Sequence, residues 1–303
     1  MNATTPPCGI ITVLNTPFTQ DDAIDVYGLA RNVENAVAAG VAGFLAPAMA
    51  SEVDKLTENE RDVMVRTVLE AAAGRVPVFG GASAASQAER VHWTRAMLRL
   101  GCDGVLVSVP FEDEAQYERE VREIAECGPP MLMLQDWDPR GYGVPVAVIA
   151  RLFDELECFR SLKIEVVPAG VKYSDVLHAT DGRLHVAGGW AVMQMIEALD
   201  RGVHAFMPTG MHRLYTRIYA LHATGRRAEA RRLFEQILPV LAFSNQHLDI
   251  SIHFFKRLLH AQGVYETARV REPILPFDAA HERIAAELIE RALALEDGLC
   301  AAG

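Results

Sequence analysis

The chain lacks the cysteine pattern of disulfide frameworks and cysteine metal sites. It has 5 cysteines in 303 residues, an odd number, and none of them forms a CxxC pair. Disulfide-rich secreted domains and zinc knuckles need paired cysteines at defined spacings. The cysteine content therefore argues against both classes and fits a reducing, cytoplasmic location.

Positive charge is also scarce. The chain has 29 Lys and Arg residues against 40 Asp and Glu residues, a formal net charge of −11. Nucleic-acid-binding proteins need a basic field that attracts phosphate. The densest basic stretch, Arg226 to Arg232, alternates with Ala and Glu at helical spacing, which is typical of a solvated helix face. We therefore expect no nucleic-acid partner.

Long apolar runs are missing too. No apolar segment approaches the ~18 residues of a membrane-spanning helix. The first residues of the chain contain no charged region followed by an apolar one, so they do not resemble a signal peptide. We expect a soluble, unprocessed protein with no membrane partner.

Common catalytic and cofactor motifs are absent, namely HExxH, GxSxG, the phosphate-binding P-loop and the GxGxxG turn. His247, His253 and His260 share a predicted helix, but their spacing places neighbours about 10 Å apart along its axis, too far for one metal ion. We predict neither a metal nor a cofactor.

What the sequence does contain is a repeated rhythm of strands and helices. From Gly9 to about Thr209, short apolar runs alternate with turn-rich links and segments of 3.6-residue periodicity. Eight parallel strands alternating with helices close into a TIM (β/α)8 barrel. A doubly wound open sheet is the alternative, but even units without a GxGxxG turn favour the barrel. The predicted strands are Ile10 to Leu14, Gly43 to Ala46, Val76 to Phe79, Gly104 to Val107, Met131 to Leu134, Phe159 to Lys163, Leu184 to Ala187 and Ala205 to Met207.

Helical periodicity fills the segments between the strands and continues after Gly210 without further strands. No Gly/Ser-rich linker separates the two parts. We therefore predict a barrel over residues 1–212 and a C-terminal helical subdomain over residues 213–303, packed on the barrel. The predicted helices are Asp25 to Ala39, Glu58 to Ala73, Ala85 to Leu100, Glu114 to Glu126, Val146 to Leu156, Val192 to Asp200, Leu214 to Ala223, Ala228 to Phe243, Gln246 to Gln262 and His281 to Leu295.

Lys163 is the strongest candidate for an active-site residue. Barrel enzymes carry their sites at the carboxyl ends of the strands, and Lys163 is the single lysine at these predicted positions. Burial disfavours the ammonium form of a lysine, and the neutral amine attacks carbonyl groups. The position indicates Schiff-base chemistry. The alternative is a strand-end lysine that forms an ion pair with Glu165.

Motifs after four of the predicted strands occur in an order shared with one superfamily. They are Thr16-Pro17-Phe18, Ser51-Glu52 followed by Leu56 to Arg61, Gly80 to Ser83, and Lys163. Over nearly its whole length the chain resembles the dihydrodipicolinate synthase and N-acetylneuraminate lyase superfamily of class I Schiff-base aldolases. The resemblance implies a lyase, an aldolase or a dehydratase, that acts on pyruvate or a longer 2-oxo acid. It also implies a homo-oligomer, a tetramer or a dimer.

Two departures from the superfamily concern the residues around the lysine. The resemblance implies a proton-relay tyrosine after strand five, but this chain has Gln135, which can hydrogen-bond a carbonyl or hydroxyl and cannot exchange protons. It also implies a Gly-Thr-Thr-Gly-Glu turn that holds the substrate carboxylate. The matching turn, Ala48 to Glu52, leaves backbone N–H groups at Ala50 and Ser51 and the Ser51 hydroxyl for this task.

Two carboxylates are candidate acid-base groups. Glu52 lies in the matched turn, and its alternative role is helix capping ahead of Thr57. Glu165 shares a face with Lys163 by strand alternation, where it either tunes the lysine or simply pairs with it.

Taken together, these patterns predict catalytic roles for Lys163, Gln135, Glu52 and Glu165. The predicted substrate-binding residues are Ala50, Ser51, Gly189, Thr209 and Arg140. One alternative is a catalytically altered barrel that binds a small metabolite. The other is a phosphosugar-binding barrel, because loops after strands seven and eight often bind phosphate.

Overall fold

The computed structural model describes residues 5–301, apart from the side chains of residues 190, 191, 300 and 301. Eight strands form a closed barrel in chain order. The fold class predicted from the sequence is confirmed. The strands are β1 (Gly9–Val13), β2 (Gly43–Leu45), β3 (Val78–Gly81), β4 (Gly104–Ser108), β5 (Leu132–Asp138), β6 (Phe159–Val166), β7 (His185–Gly188) and β8 (Ala205–Phe206).

Helices separate the strands and follow the last of them. After Gly210 the described residues form helices and connecting turns only. The prediction lacked α6, which lies between β6 and β7. The helices are α1 (Val26–Ala38), α2 (Glu58–Ala72), α3 (Gln87–Leu100), α4 (Glu114–Ala125), α5 (Val146–Glu155), α6 (Ala169–Ala179), α7 (Met195–Asp200), α8 (His212–Ala223), α9 (Arg227–Ser244), α10 (Leu248–Ala261) and α11 (Ala279–Ala301).

Local sequence fixes where several helices begin. The Thr57 side chain accepts a hydrogen bond from the Glu60 N–H at the start of α2, and the Glu60 side chain accepts one from the Thr57 N–H. Ser86 and Glu89 form the same capping box at the start of α3. Such reciprocal bonds satisfy backbone donors that the first helical turn leaves open. Helix capping ahead of α2 therefore belongs to Thr57 and Glu60.

Strands β5 and β6 are longer than predicted, and this difference positions the candidate site. Their parallel pairing continues from Gln135 opposite Lys163 to Asp138 opposite Val166. The prediction ended β5 at Leu134, where its apolar run stops, and ended β6 at Lys163. Because two adjacent strands satisfy each other's backbone hydrogen bonds, the ladder continues through polar residues. Gln135, Asp136 and Glu165 therefore lie on strands, not on loops.

The described chain groups into two compact units. One joins the start of the chain, through Ile11, to Pro77–Met207, and the other joins Thr12–Val76 to the segment from Pro208 onward. The predicted boundary between barrel and C-terminal subdomain, at residues 212 and 213, remains a prediction. Residues 1–4 and 302–303 of these two predicted segments lie outside the described residues. Among the described residues, no helix has the length and apolar character needed to cross a bilayer.

Candidate active site

Lys163 lies inside strand β6 and is almost fully buried, with 8% of its surface exposed. Side chains two residues apart on a strand point to the same face. Ser161, Lys163 and Glu165 therefore form one row along β6. Asp136, which follows the Lys163-facing residue Gln135 on β5, points to the opposite face of the sheet.

Lys163 and Gln135 converge on one carboxylate oxygen. Lys163 Nζ lies 3.0 Å from Glu165 Oε2. The Gln135 side chain donates a short hydrogen bond from Nε2 to the same oxygen. The two donors come from adjacent strands, because Gln135 is the register partner of Lys163. We call Lys163, Glu165, Gln135 and the adjoining Gly189 the Lys163 cluster.

The backbone of Gly189, directly after β7, lies against the side chains of Lys163 and Glu165. A β-carbon at this position would lie 1.9 Å from Glu165 Oε1 and 2.5 Å from Lys163 Cε. Real side chains do not approach so closely, so only glycine fits here without displacing the carboxylate. The φ of Gly189 is −94°, so its backbone does not adopt the left-handed conformation that favours glycine. The requirement for glycine therefore arises from packing against the lysine and its partner.

Ser161, two residues before Lys163 on β6, and its partner His185 on β7 carry no charge. Ser161 Oγ lies 2.8 Å from His185 Nδ1, and His185 Nε2 lies 3.1 Å from the Pro7 carbonyl oxygen. Because a carbonyl only accepts hydrogen bonds, Nε2 carries the proton and Nδ1 accepts from the serine hydroxyl. Burial, and to a smaller extent the neighbouring His204, lowers the pKa of His185 to about 3. This histidine therefore adds no charge beside the Lys163–Glu165 pair near neutral pH.

Tyr173 on α6 was missed by the sequence reasoning. Its hydroxyl is buried and has no hydrogen-bond partner among the described residues. Burial raises the pKa of Tyr173, and the negative charge of Glu165 raises it further. The phenol thus stays protonated. No motif in the sequence connects a helical tyrosine at this position with the strand lysine.

A second buried lysine of the same unit, Lys172 on α6, has no exposed surface. Its Nζ lies 3.0 Å from Asp136 Oδ2 and 2.7 Å from the Tyr142 carbonyl oxygen. Burial lowers the pKa of Lys172, and the Asp136 carboxylate opposes this effect. Lys172 therefore holds the loop after β5 against α6, and its amine is closed to solvent.

In the other unit, Glu52 is paired with a third buried lysine, Lys256 on α10. Lys256 Nζ donates to Glu52 Oε2 in a short contact between two side chains without exposed surface. The Arg271 N–H donates to Glu52 Oε1 at 2.9 Å, and Lys55 Nζ lies 3.5 Å from the same oxygen. Burial lowers the pKa of Lys256 to about 8, against the opposing effect of Glu52. The catalytic role of Glu52 remains a prediction, while its visible contacts tie the turn after β2 to the C-terminal helices.

The turn at Ala50 and Ser51 is held by internal hydrogen bonds. Ser51 Oγ donates to the Leu14 carbonyl oxygen at 2.5 Å and accepts from the Ala48 N–H at 2.9 Å. Asn15 donates from Nδ2 to the Ala50 carbonyl oxygen at 2.6 Å. The buried Ser51 hydroxyl therefore shapes the turn. Any substrate contact made by Ala50 or Ser51 would come from their backbone.

The remaining predicted substrate-binding residues are less closely defined. Thr209 is half-buried and precedes Gly210, whose φ is +65°. Arg140 is exposed, and its backbone N–H donates to Asp138 Oδ1 at 3.0 Å in the turn after β5. Their binding roles remain predictions. Among the described residues, no three His, Cys, Asp or Glu side chains are grouped so as to hold a metal ion.

A closed barrel with a buried lysine towards the carboxyl end of its sixth strand corresponds to the class I aldolase barrels that the sequence resembles. The profile of the dihydrodipicolinate synthetase family matches residues 6–292. The chain belongs to this family. The superfamily predicted from the sequence motifs is thereby confirmed.

Relatives of known activity match most of the chain at modest identity. The L-2-keto-3-deoxyarabonate dehydratase of Azospirillum brasilense is 27% identical over 276 residues, which are 88% of this chain and 88% of that protein. The 4-hydroxy-tetrahydrodipicolinate synthase of Sodalis glossinidius is 28% identical over 285 residues, which are 91% of this chain and 95% of that protein. Family members therefore include both a synthase and a dehydratase.

Solved structures show the same fold. The crystal structure of dihydrodipicolinate synthase from Rhodopseudomonas palustris superimposes with a TM-score of 0.87 over 95% of this chain and 99% of that one, at 21% identity. At this identity the likeness establishes the barrel architecture and not the activity.

Replacing Gly189 with alanine should strain the Lys163 cluster. The new methyl group would overlap Glu165 Oε1 and Lys163 Cε, and overpacking of this kind costs about 1–3 kcal/mol. We expect Gly189→Ala to lower the free energy of unfolding by that amount in chemical denaturation. Gly298→Ala, at a helical glycine with open space around it, is the matched control. Because Glu165→Ala removes the overlapping carboxylate, Gly189→Ala should cost less in a Glu165→Ala protein than in the parent, whatever Glu165→Ala itself costs. A Gly189→Ala protein as stable as the parent would contradict the close packing.

Replacing Lys256 with methionine should strongly destabilise the fold, because it leaves the Glu52 carboxylate buried without its lysine. Removing one partner of a buried ion pair typically costs about 3–5 kcal/mol. Adding Glu52→Gln to Lys256→Met removes the unpaired charge, so the double variant should be more stable than Lys256→Met alone. Denaturation curves of the parent, both single variants and the double variant measure this coupling. Purely additive losses would show that the two side chains do not stabilise each other.

Proposed function

We propose that this protein is a Schiff-base-forming lyase, an aldolase or dehydratase, that acts on pyruvate or a longer 2-oxo acid through Lys163. The observation that carries the proposal is the setting of this lysine. Lys163 is held inside a barrel strand and retains 8% exposure, whereas the buried Lys172 and Lys256 retain 0%. Of these three buried lysines it is thus the one that keeps some exposed surface.

The chemistry follows from the amine. Its neutral form adds to the 2-oxo carbon, and loss of water gives an iminium that withdraws electrons from the adjacent carbon. This electron-withdrawing iminium can assist the loss of a proton, an aldehyde or a hydroxyl group from the substrate. The 27% identity to an L-2-keto-3-deoxyarabonate dehydratase supports dehydration of a 2-oxo acid longer than pyruvate as one form of the reaction.

Other roles predicted from the sequence are part of this proposal. Gln135 would orient the groups around Lys163, since its amide already donates to Glu165. Carboxylate binding by Ala50, Ser51, Thr209 or Arg140, catalysis by Glu52, and a homo-oligomeric assembly all remain predictions. The phosphosugar-binding alternative also remains a prediction.

Borohydride trapping tests the proposed function. Incubation with pyruvate, or with longer 2-oxo acids, followed by reduction should attach the substrate to Lys163, and peptide mass spectrometry would locate it. Lys172 and Lys256 serve as controls within the same digest, because their amines are closed to solvent. Their peptides should remain unmodified.

The outcome separates the candidate functions. No adduct on Lys163 with any 2-oxo acid would refute the lyase and favour a barrel that binds a metabolite without Schiff-base chemistry. An adduct with longer 2-oxo acids but not with pyruvate would retain the lyase and narrow its substrate class.

A further inference from the structure

We propose that Glu165 carries the protons at the Lys163 imine, in place of the relay tyrosine that the family resemblance implies, and that Gln135 is its positioning residue. This inference rests on the proposed function and adds the group that performs its acid-base steps. It assigns the catalytic proton transfer to a residue of the same strand as the nucleophile.

Glu165 contacts the lysine amine directly. Lys163 Nζ lies 3.0 Å from Glu165 Oε2, within the distance over which a proton passes directly between two heavy atoms. Gln135 contacts the same oxygen, but an amide cannot exchange protons in this way. Gln135 can therefore hold the carboxylate in place, while Glu165 is able to accept and return a proton.

The surroundings of the Glu165 carboxylate also favour this role. The backbone of Gly189 lies beside Oε1, since a β-carbon added there would lie 1.9 Å from this oxygen. Oε2 is then the oxygen turned towards Lys163 and Gln135. Two titratable groups near this carboxylate carry no charge, because burial and the charge of Glu165 raise the pKa of Tyr173, and burial lowers the pKa of His185 to about 3. Across the neutral range the phenol stays protonated and the imidazole stays uncharged.

The proton transfers that form the imine and the enamine can be written with Glu165 as the proton carrier. Its carboxylate first takes a proton from the Lys163 ammonium, and the free amine adds to the 2-oxo carbon. A proton then moves from nitrogen to the former carbonyl oxygen. The protonated Glu165 donates to this hydroxyl, which leaves as water and yields the iminium and the carboxylate. With pyruvate, the carboxylate next removes a methyl proton to give the enamine. The protonated Glu165 exchanges this proton with solvent, and reversal of the step then returns a solvent proton to the carbon.

Exchange of the pyruvate methyl protons for deuterium in heavy water, followed by NMR, measures this cycle without knowledge of the natural substrate. Positioned acid-base groups contribute roughly 10²–10⁴-fold to rate. We expect Glu165→Gln to slow exchange by about that factor near neutral pH. Borohydride should still trap pyruvate on Lys163 of this variant in alkaline solution, where hydroxide frees the amine. Asp138→Asn removes a carboxylate from the neighbouring strand β5 and should leave exchange unchanged.

Chemical rescue distinguishes proton transfer from a structural role. Glu165→Ala opens space for a small carboxylate, so added formate should restore part of the exchange in proportion to its concentration. Rescue supports the proposal even if Glu165→Gln folds poorly. Exchange within a few-fold of the parent in both variants, or a slow Glu165→Ala protein that does not respond to formate, would overturn it.

The parent protein separates this inference from the proposed function. If the parent forms a Lys163 adduct but the variants exchange normally, Glu165 is not the carrier while the lyase remains. If the parent forms no adduct with any 2-oxo acid and catalyses no exchange, the lyase is refuted and this inference with it. If it forms an adduct with longer 2-oxo acids only, the same exchange measurement is made at the carbon next to the 2-oxo group of such an acid.

Discussion

The pairing of β5 with β6 is the constraint on which the candidate site depends. It sets Gln135 opposite Lys163 and so brings two donors from different strands to one oxygen of Glu165. A long, flexible lysine in water would sample many positions, and fixing it costs side-chain entropy. Here the strand backbone and the shared carboxylate hold it. The same pairing turns Asp136 to the other side of the sheet, where it meets Lys172.

The three buried lysines among the described residues, each paired with a carboxylate, divide into two kinds. Lys172 and Lys256 also donate to backbone carbonyl groups, of Tyr142 and Arg269 respectively, and their amines have no exposed surface. These additional bonds help offset the cost of burying an ammonium group. Lys163 retains 8% exposure. The ion pairs of Lys172 and Lys256 thus join segments of the chain, whereas Lys163 is the lysine to which the proposed function assigns the reacting amine.

Much of the fold followed from periodicity, because the apolar runs and helical segments of a barrel recur in a regular order. Lys163 could be found the same way, as a lysine at the end of a strand. The full length of β5 and β6 could not be predicted in this way, because Gln135 and Glu165 interrupt the apolar pattern while the backbone hydrogen bonds between the strands continue. The partner of Glu52 was also beyond local reasoning, because Lys256 lies 204 positions further along the chain.

The contact between Gly189 and Glu165 also links two positions of the sequence. Lys163 takes part in the same contact, because its Cε would lie 2.5 Å from a β-carbon at 189. A side chain at 189 would therefore require the ends of both neighbouring side chains to shift. Relatives that keep Lys163 and Glu165 in this arrangement should keep glycine at 189, and a larger residue there should accompany changes around both neighbours during divergence of the family.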